Sequence, residues 1–88
     1  MYEAVEFVEK ERGADPTERV LGRTPTIDET VVIARAAWHE FEASGQDLYA
    51  WWLVREPGAT LALWIADNHS RKEFVLDPRS GELIEVRV

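Results

Sequence analysis

The chain of 88 residues contains no cysteine. That absence removes disulfide staples, thiolate nucleophiles and cysteine-ligated zinc together. Histidine is scarce as well: only His39 and His69 occur, so a serine–histidine–acid relay has little to draw on. There is no glycine-rich phosphate loop, and no apolar run approaches the ~20 residues that cross a bilayer. Basic charge is short, with ten Lys and Arg against 17 Asp and Glu and a net charge of −7. Arg12, Arg19, Arg23, Arg35, Arg55, Arg71, Arg79 and Arg87 are scattered and form no run. An acidic chain without a basic stripe repels a phosphate backbone, which argues against nucleic acid as a direct ligand. The opening Met1-Tyr2-Glu3-Ala4-Val5-Glu6 lacks the basic start and apolar stretch of a secretory signal. The expectation is one domain over residues 1–88, soluble and cytoplasmic, with no membrane contact, no cofactor and no metal.

What the chain does have is apolar mass. Hydrophobic residues make up 45%, four of them Trp, enough for a real core. The clearest local signal is Thr26-Ile27-Asp28-Glu29, a capping box ahead of Ile27, Val31, Ala34, Trp38 and Phe41 at steps of four, three, four and three. Thr30 and Ala37 widen that stripe, and Gly45 follows Ser44 where a left-handed residue ends a helix. A helix over Ile27–Ser44 is predicted. From Leu48 onward, four apolar runs alternate with three turn signals. The runs are Leu48–Arg55, Thr60–Ala66, Glu73–Leu76 and Leu83–Val88; the turns centre on Pro57-Gly58, Asn68-His69 and Pro78 to Gly81. Such spacing suits an antiparallel meander. Residues 1–25 read as helical: Tyr2, Val5 and Val8 recur at threes up to about Arg12, and Asp15-Pro16-Thr17-Glu18 resembles a cap for a short turn through Val20-Leu21. The predicted fold is α+β, a long helix (residues 26–88 with the sheet) on a four-stranded meander, plus an N-terminal helical segment.

Tight turns would fix the register. Arg55 opposite Thr60 sets Trp52 against Leu63, and Asp67 opposite Ser70 sets Leu63 against Phe74. One face then carries Leu48, Ala50, Trp52, Val54, Leu61, Leu63, Ile65, Phe74, Leu76, Ile84 and Val86, and receives the helix stripe. The other carries Tyr49, Trp51, Leu53, Ala62, Trp64, Ala66, Glu73 and Val75, with Trp51 and Trp64 side by side. A solvated sheet face alternates to polar residues, and this one does not. Tyr49, Trp51, Trp64 and Val75 are the candidate binding surface. Three occupants are open: the N-terminal segment folded across it, a second copy in a homodimer, or another protein, since Trp and Tyr anchor interfaces.

Catalysis finds little. His39 is expected to flank a helix, His69 to sit in a turn, and Ser70 beside it points to the opposite side of a strand. Asp67, Asn68 and Asp77 are turn residues that need no metal to explain them. Glu3, Glu6, Glu9 and Glu11 read as a solvated helix face.

The segment Phe74-Val75-Leu76-Asp77-Pro78-Arg79-Ser80-Gly81-Glu82-Leu83-Ile84, with Thr26-Ile27-Asp28-Glu29 and Ile33-Ala34 upstream, resembles the PepSY family over residues 26–87. That resemblance implies a capped helix, antiparallel strands and a binding or inhibitory module without catalytic residues. The expected function is a non-enzymatic protein-binding module; the competing one is a small acidic inhibitor or immunity protein that blocks a basic partner.

Overall fold

The segment before Thr26 is a β-hairpin. In the computed structural model, which describes residues 1–11 and 13–87, β1 (Tyr2–Glu9) and β2 (Thr17–Thr24) run antiparallel, joined by a loop containing Gly13 at φ +86. This corrects the expected N-terminal helix and the short helical turn after Pro16. The end of that helix at Arg12, and the Val88 end of the last run, lie outside the described residues. The physical reason is period. Tyr2, Ala4, Glu6 and Val8 share one side and Glu3, Val5, Phe7 and Glu9 the other, so the spacing of three picked residues from both sides. Aromatic and β-branched residues also favour a pleated surface over a helix.

The helix α1 (Ile27–Ala43) is where the capping signal put it. Thr26 is extended (φ −124, ψ 151) and its hydroxyl accepts from the Glu29 amide at 3.2 Å. The buried Thr30 hydroxyl donates back to the Thr26 carbonyl at 2.5 Å. Ser44 caps the far end and Gly45 follows at φ +71. Thr30, Val31, Ala34 and Trp38 are buried, with Ile27, Ala37 and Phe41 packed at their margins.

Four further strands follow: β3 (Tyr49–Arg55), β4 (Trp64–Asp67), β5 (Glu73–Leu76) and β6 (Leu83–Glu85). All six strands form one antiparallel sheet in the order β2-β1-β3-β4-β5-β6. The fold is α+β, but with six strands and a single helix, and it replaces the predicted four-stranded meander with its extra N-terminal helix. The hairpin β1–β2 continues the meander's sheet beyond β3. One strand carries an irregularity: the pairing shifts between Ala4 and Val5, leaving Leu21 as an extra residue in β2. Gly22 lies there under the helix, where a Cβ would meet the Ile33 Cδ1 at 3.2 Å.

The registers also differ from expectation. Trp52 faces Ala66 and Val54 faces Trp64 across β3 and β4, three residues away from the tight-turn pairing. An odd shift turns a strand over, so Trp64 and Ala66 point to the helix, and Ile65 to the other side. The segment from Glu56 to Leu63 is a longer connection instead of a four-residue turn. Packing decided this: with Trp64 inside, the core gains an indole that would otherwise lie on the surface. β4 and β5 pair Ile65 with Phe74. Leu76 faces Leu83 and Val75 faces Ile84 across the last turn, one residue from the expected register.

The core therefore lies between α1 and one side of the sheet: Ala4, Val31, Ala34, Trp38, Ala50, Trp52, Val54, Trp64 and Ala66. The helix packs on β1, β2, β3 and, more lightly, β4. No helix among the described residues is long and apolar enough to cross a membrane.

Candidate functional site: the open face of the sheet

Cross-strand partners share a face, so the side away from the helix can be read directly from the pairings. Phe7 lies beside Trp51, Val5 beside Leu53, Leu53 beside Ile65, and Ile65 beside Phe74. Tyr49 and Glu9 are paired at one end, Glu3 and Arg55 at the other. No helix or strand among the described residues packs on this side, since all six strands are in the sheet and α1 covers the reverse. With strands spaced ~4.8 Å apart, the face is about 24 Å wide.

Of the four residues expected here, the structure brings two together. Tyr49 and Trp51 lie on the open face with ring centroids 5.2 Å apart. Trp64 does not: it is 2% exposed and part of the core. Val75, its partner across β4–β5, faces the helix side as well, 40% exposed because the sheet there runs beyond the helix. The cause is the odd register shift of β4 described above. Val5, Phe7, Ile65, Phe74 and Leu76 are the members the sequence reading missed. For Phe7 the available signal was the alternation of Val5 and Phe7 with Ala4 and Glu6.

The indole nitrogens distinguish the two faces. Trp52 donates to Glu6 Oε2 at 2.9 Å, Trp64 to Glu73 Oε1 at 3.0 Å and Trp38 to Glu42 Oε1 at 2.9 Å. Each inner tryptophan thus has a carboxylate acceptor, as a buried N–H requires. All three carboxylates are themselves paired with arginine: Glu6 with Arg19 at 3.0 Å, Glu73 with Arg35 at 2.5 Å and, more loosely, Glu42 with Arg71 at 3.9 Å. The Glu73 carboxyl would rise on burial, but hydrogen bonds from Arg35 and Trp64 outweigh that and hold it below its ordinary value. The Trp51 N–H makes no hydrogen bond among the described residues.

At one end of the open face Glu3 is 2% exposed. It accepts from Arg55 Nε at 2.9 Å, Arg23 Nε at 3.0 Å and the Gly58 amide at 3.4 Å. Burial alone would raise its carboxyl; the bonds from Arg55, Arg23 and Gly58 prevail and lower it. Glu3 and Glu6 are thus buried ion-pair members, not part of a solvated helix face. At the opposite end the Trp51 ring stacks on Phe7 (5.2 Å, 7° between planes) and Tyr49 meets His69 edge-on at 5.9 Å. Tyr49, Asp67, His69 and Ser70 line a shallow hollow of about 480 Å³. Partial burial raises the Tyr49 phenol, and the Asp67 and Glu9 carboxylates push it further up.

The turn polar residues are occupied locally. Asp67 Oδ1 accepts from the His69 and Ser70 amides at 2.8 and 2.6 Å, and Asn68 ties the turn to the start of β3 through Ala50 and Leu48. Asp77 accepts from the Arg79 amide and Ser80 hydroxyl, both at 3.0 Å. Among the described residues no three His, Asp or Glu side chains converge as a metal site would require. His39 is exposed beside Trp38. A second hollow, about 510 Å³, lies on the helix side between the end of α1 and the β1–β2 hairpin, and is lined in part by Glu6, Arg19 and Phe41.

Compared with protein families, with curated proteins and with solved structures, the chain matches none.

Proposed function

We propose that the protein is a non-enzymatic protein-binding module whose contact surface is the open sheet face centred on Tyr49 and Trp51. The observation that carries this is an aromatic and aliphatic sheet face on which no helix or strand packs among the described residues: Val5 and Leu53 within it are buried, but Tyr49 at its end is 42% exposed and the Trp51 indole N–H has no acceptor among the described residues. Monomers seldom leave such a patch uncovered, and a tryptophan with one apolar side and one free donor is the usual anchor of an interface. The resemblance to PepSY domains points the same way, towards a binding or inhibitory role. A cytoplasmic setting belongs to the same proposal and draws on the absence of cysteine.

A pull-down from the native cell with the wild-type chain and with a Tyr49→Ala/Trp51→Ala variant tests it. The variant is expected to keep its fold and lose the partner. Equal capture by a folded variant would remove the open face from consideration. The competing reading, an acidic inhibitor or immunity protein, draws on the net charge of −7. It predicts that the variant still binds and that raised salt releases the partner. A homodimer through this face would appear instead as self-association of the wild type, abolished by the same two substitutions.

A further inference from the structure

The open face treats its carboxylates in two ways. At the β1 start, Glu3 is met by two guanidinium groups from Arg23 and Arg55. At the β1 end, Glu9 and Asp67 flank the aromatic group on either side. Glu9 is the cross-strand partner of Tyr49, and Asp67 that of Trp51. Neither makes an ion pair with a described residue, and Asp67 uses only Oδ1 in its turn. Both charges act on the Tyr49 phenol, so their field reaches the rings. The hollow beside Tyr49 opens between the same groups.

Resting on the reading of this face as a protein-contact surface, we propose that the Tyr49 end receives an arginine side chain from a basic partner protein. The guanidinium would lie against the Tyr49 and Trp51 rings and pair with the Asp67 and Glu9 carboxylates. Charge complementarity selects this occupant: the chain is at −7, which disfavours a second copy, and the two carboxylates border the apolar patch where a cation would neutralise them. Arginine suits it better than lysine, because a planar, weakly hydrated guanidinium can stack on aromatic rings and at the same time donate side-on to a carboxylate. The Glu3 cluster at the other end of the face shows the same pairing made from within the chain.

The test uses an acetylated, amidated Val-Arg-Val-Arg-Val peptide and its citrulline counterpart, which keeps the shape and loses the charge. Titrations of the ¹⁵N-labelled full chain are followed by NMR. The arginine peptide is expected to shift the Tyr49, Trp51, Asp67 and His69 signals, including the Trp51 indole N–H. The citrulline peptide should bind about tenfold more weakly or worse. Asp67→Asn retains the oxygen that closes the turn and should also weaken arginine-peptide binding about tenfold; Glu9→Gln should weaken it less. Equal binding of both peptides at these residues would overturn the arginine proposal while leaving the face a contact surface. Shifts confined to other acidic patches, or none from either peptide, would overturn the proposal. A wild-type dimer that protects the Trp51 indole N–H would overturn it too, assigning the face to a second copy.

Discussion

Trp51 and Trp52 are adjacent in sequence and have opposite surroundings. Trp52 is wholly buried, lies 6.4 Å from Trp38 and 5.5 Å from Phe41, and gives its N–H to Glu6. Trp51 rests on Phe7 and Tyr49, aromatic neighbours that are themselves partly exposed, and its N–H has no acceptor among the described residues. A β-strand sends successive side chains to opposite faces, so one dipeptide serves both sides of the sheet. The contrast separates a tryptophan that the helix-side core uses in full from one that it does not use.

Replacing each indole is the sharpest way to break that contrast. Trp52→Ala should cost about 3–5 kcal/mol of stability, since it opens a cavity and removes one of the two donors that hold the Glu6 carboxylate, leaving Arg19 alone. Trp51→Ala should cost about 1 kcal/mol, the loss of two partly exposed ring contacts. Urea denaturation of both variants measures the difference; similar losses would mean that the open face is as structural as the core.

The Glu3 cluster comes next. Glu3→Ala leaves Arg55 without its buried acceptor, and should destabilise by about 2–3 kcal/mol once the half-exposed Arg23 is discounted for solvent screening. The same carboxylate sets an acid limit. Glu3 and Glu73 both have folded pKa values below the unfolded value of 4.5. Their stabilisation is therefore complete above pH 4.5 and is lost as pH falls through the lowered folded values. Melting temperature should be flat near neutrality and decline below pH 4.5, and Glu3→Gln should flatten that decline. A Glu3→Gln profile as steep as wild type would assign the acid sensitivity elsewhere.

How far the sequence revealed this architecture depends on how local each signal was. The helix was legible because Thr26, Gly45 and the Ile27-to-Phe41 stripe are local signals that agree. The two-sided apolar character of the sheet was legible from Tyr49, Trp51 and Leu53, whose faces follow from alternation within one strand. The hairpin at the start was not, because Glu3 and Glu6 are buried charges whose arginine partners, at 19, 23 and 55, are distant in sequence. Nor was the position of Trp64. Its side depends on the β3–β4 register, and tertiary packing set that register in preference to the shortest turn at Pro57-Gly58.

The smallest expected effect on stability is at the other end of the open face. Asp67→Asn should change unfolding free energy by no more than about 0.5 kcal/mol, as for other surface substitutions. Because it should still weaken binding of the arginine peptide, comparison with Glu3→Ala tests whether the face divides into a structural end and a receptive end. A large stability loss for Asp67→Asn would erase that division.

The extra residue at Leu21 has a consequence for how such molecules can meet. β2 is an eight-residue border strand, a length that in flat form invites endless lateral addition of chains. The kink that Leu21 introduces, with charges from Glu18, Arg19 and Arg23 along the same strand, blunts that template. At the far border β6 has three residues, too short to seed growth. With both margins blunted in this way, neither border offers a long flat template for the lateral addition of further chains, and the sheet can close as a finite unit instead of growing into a fibre.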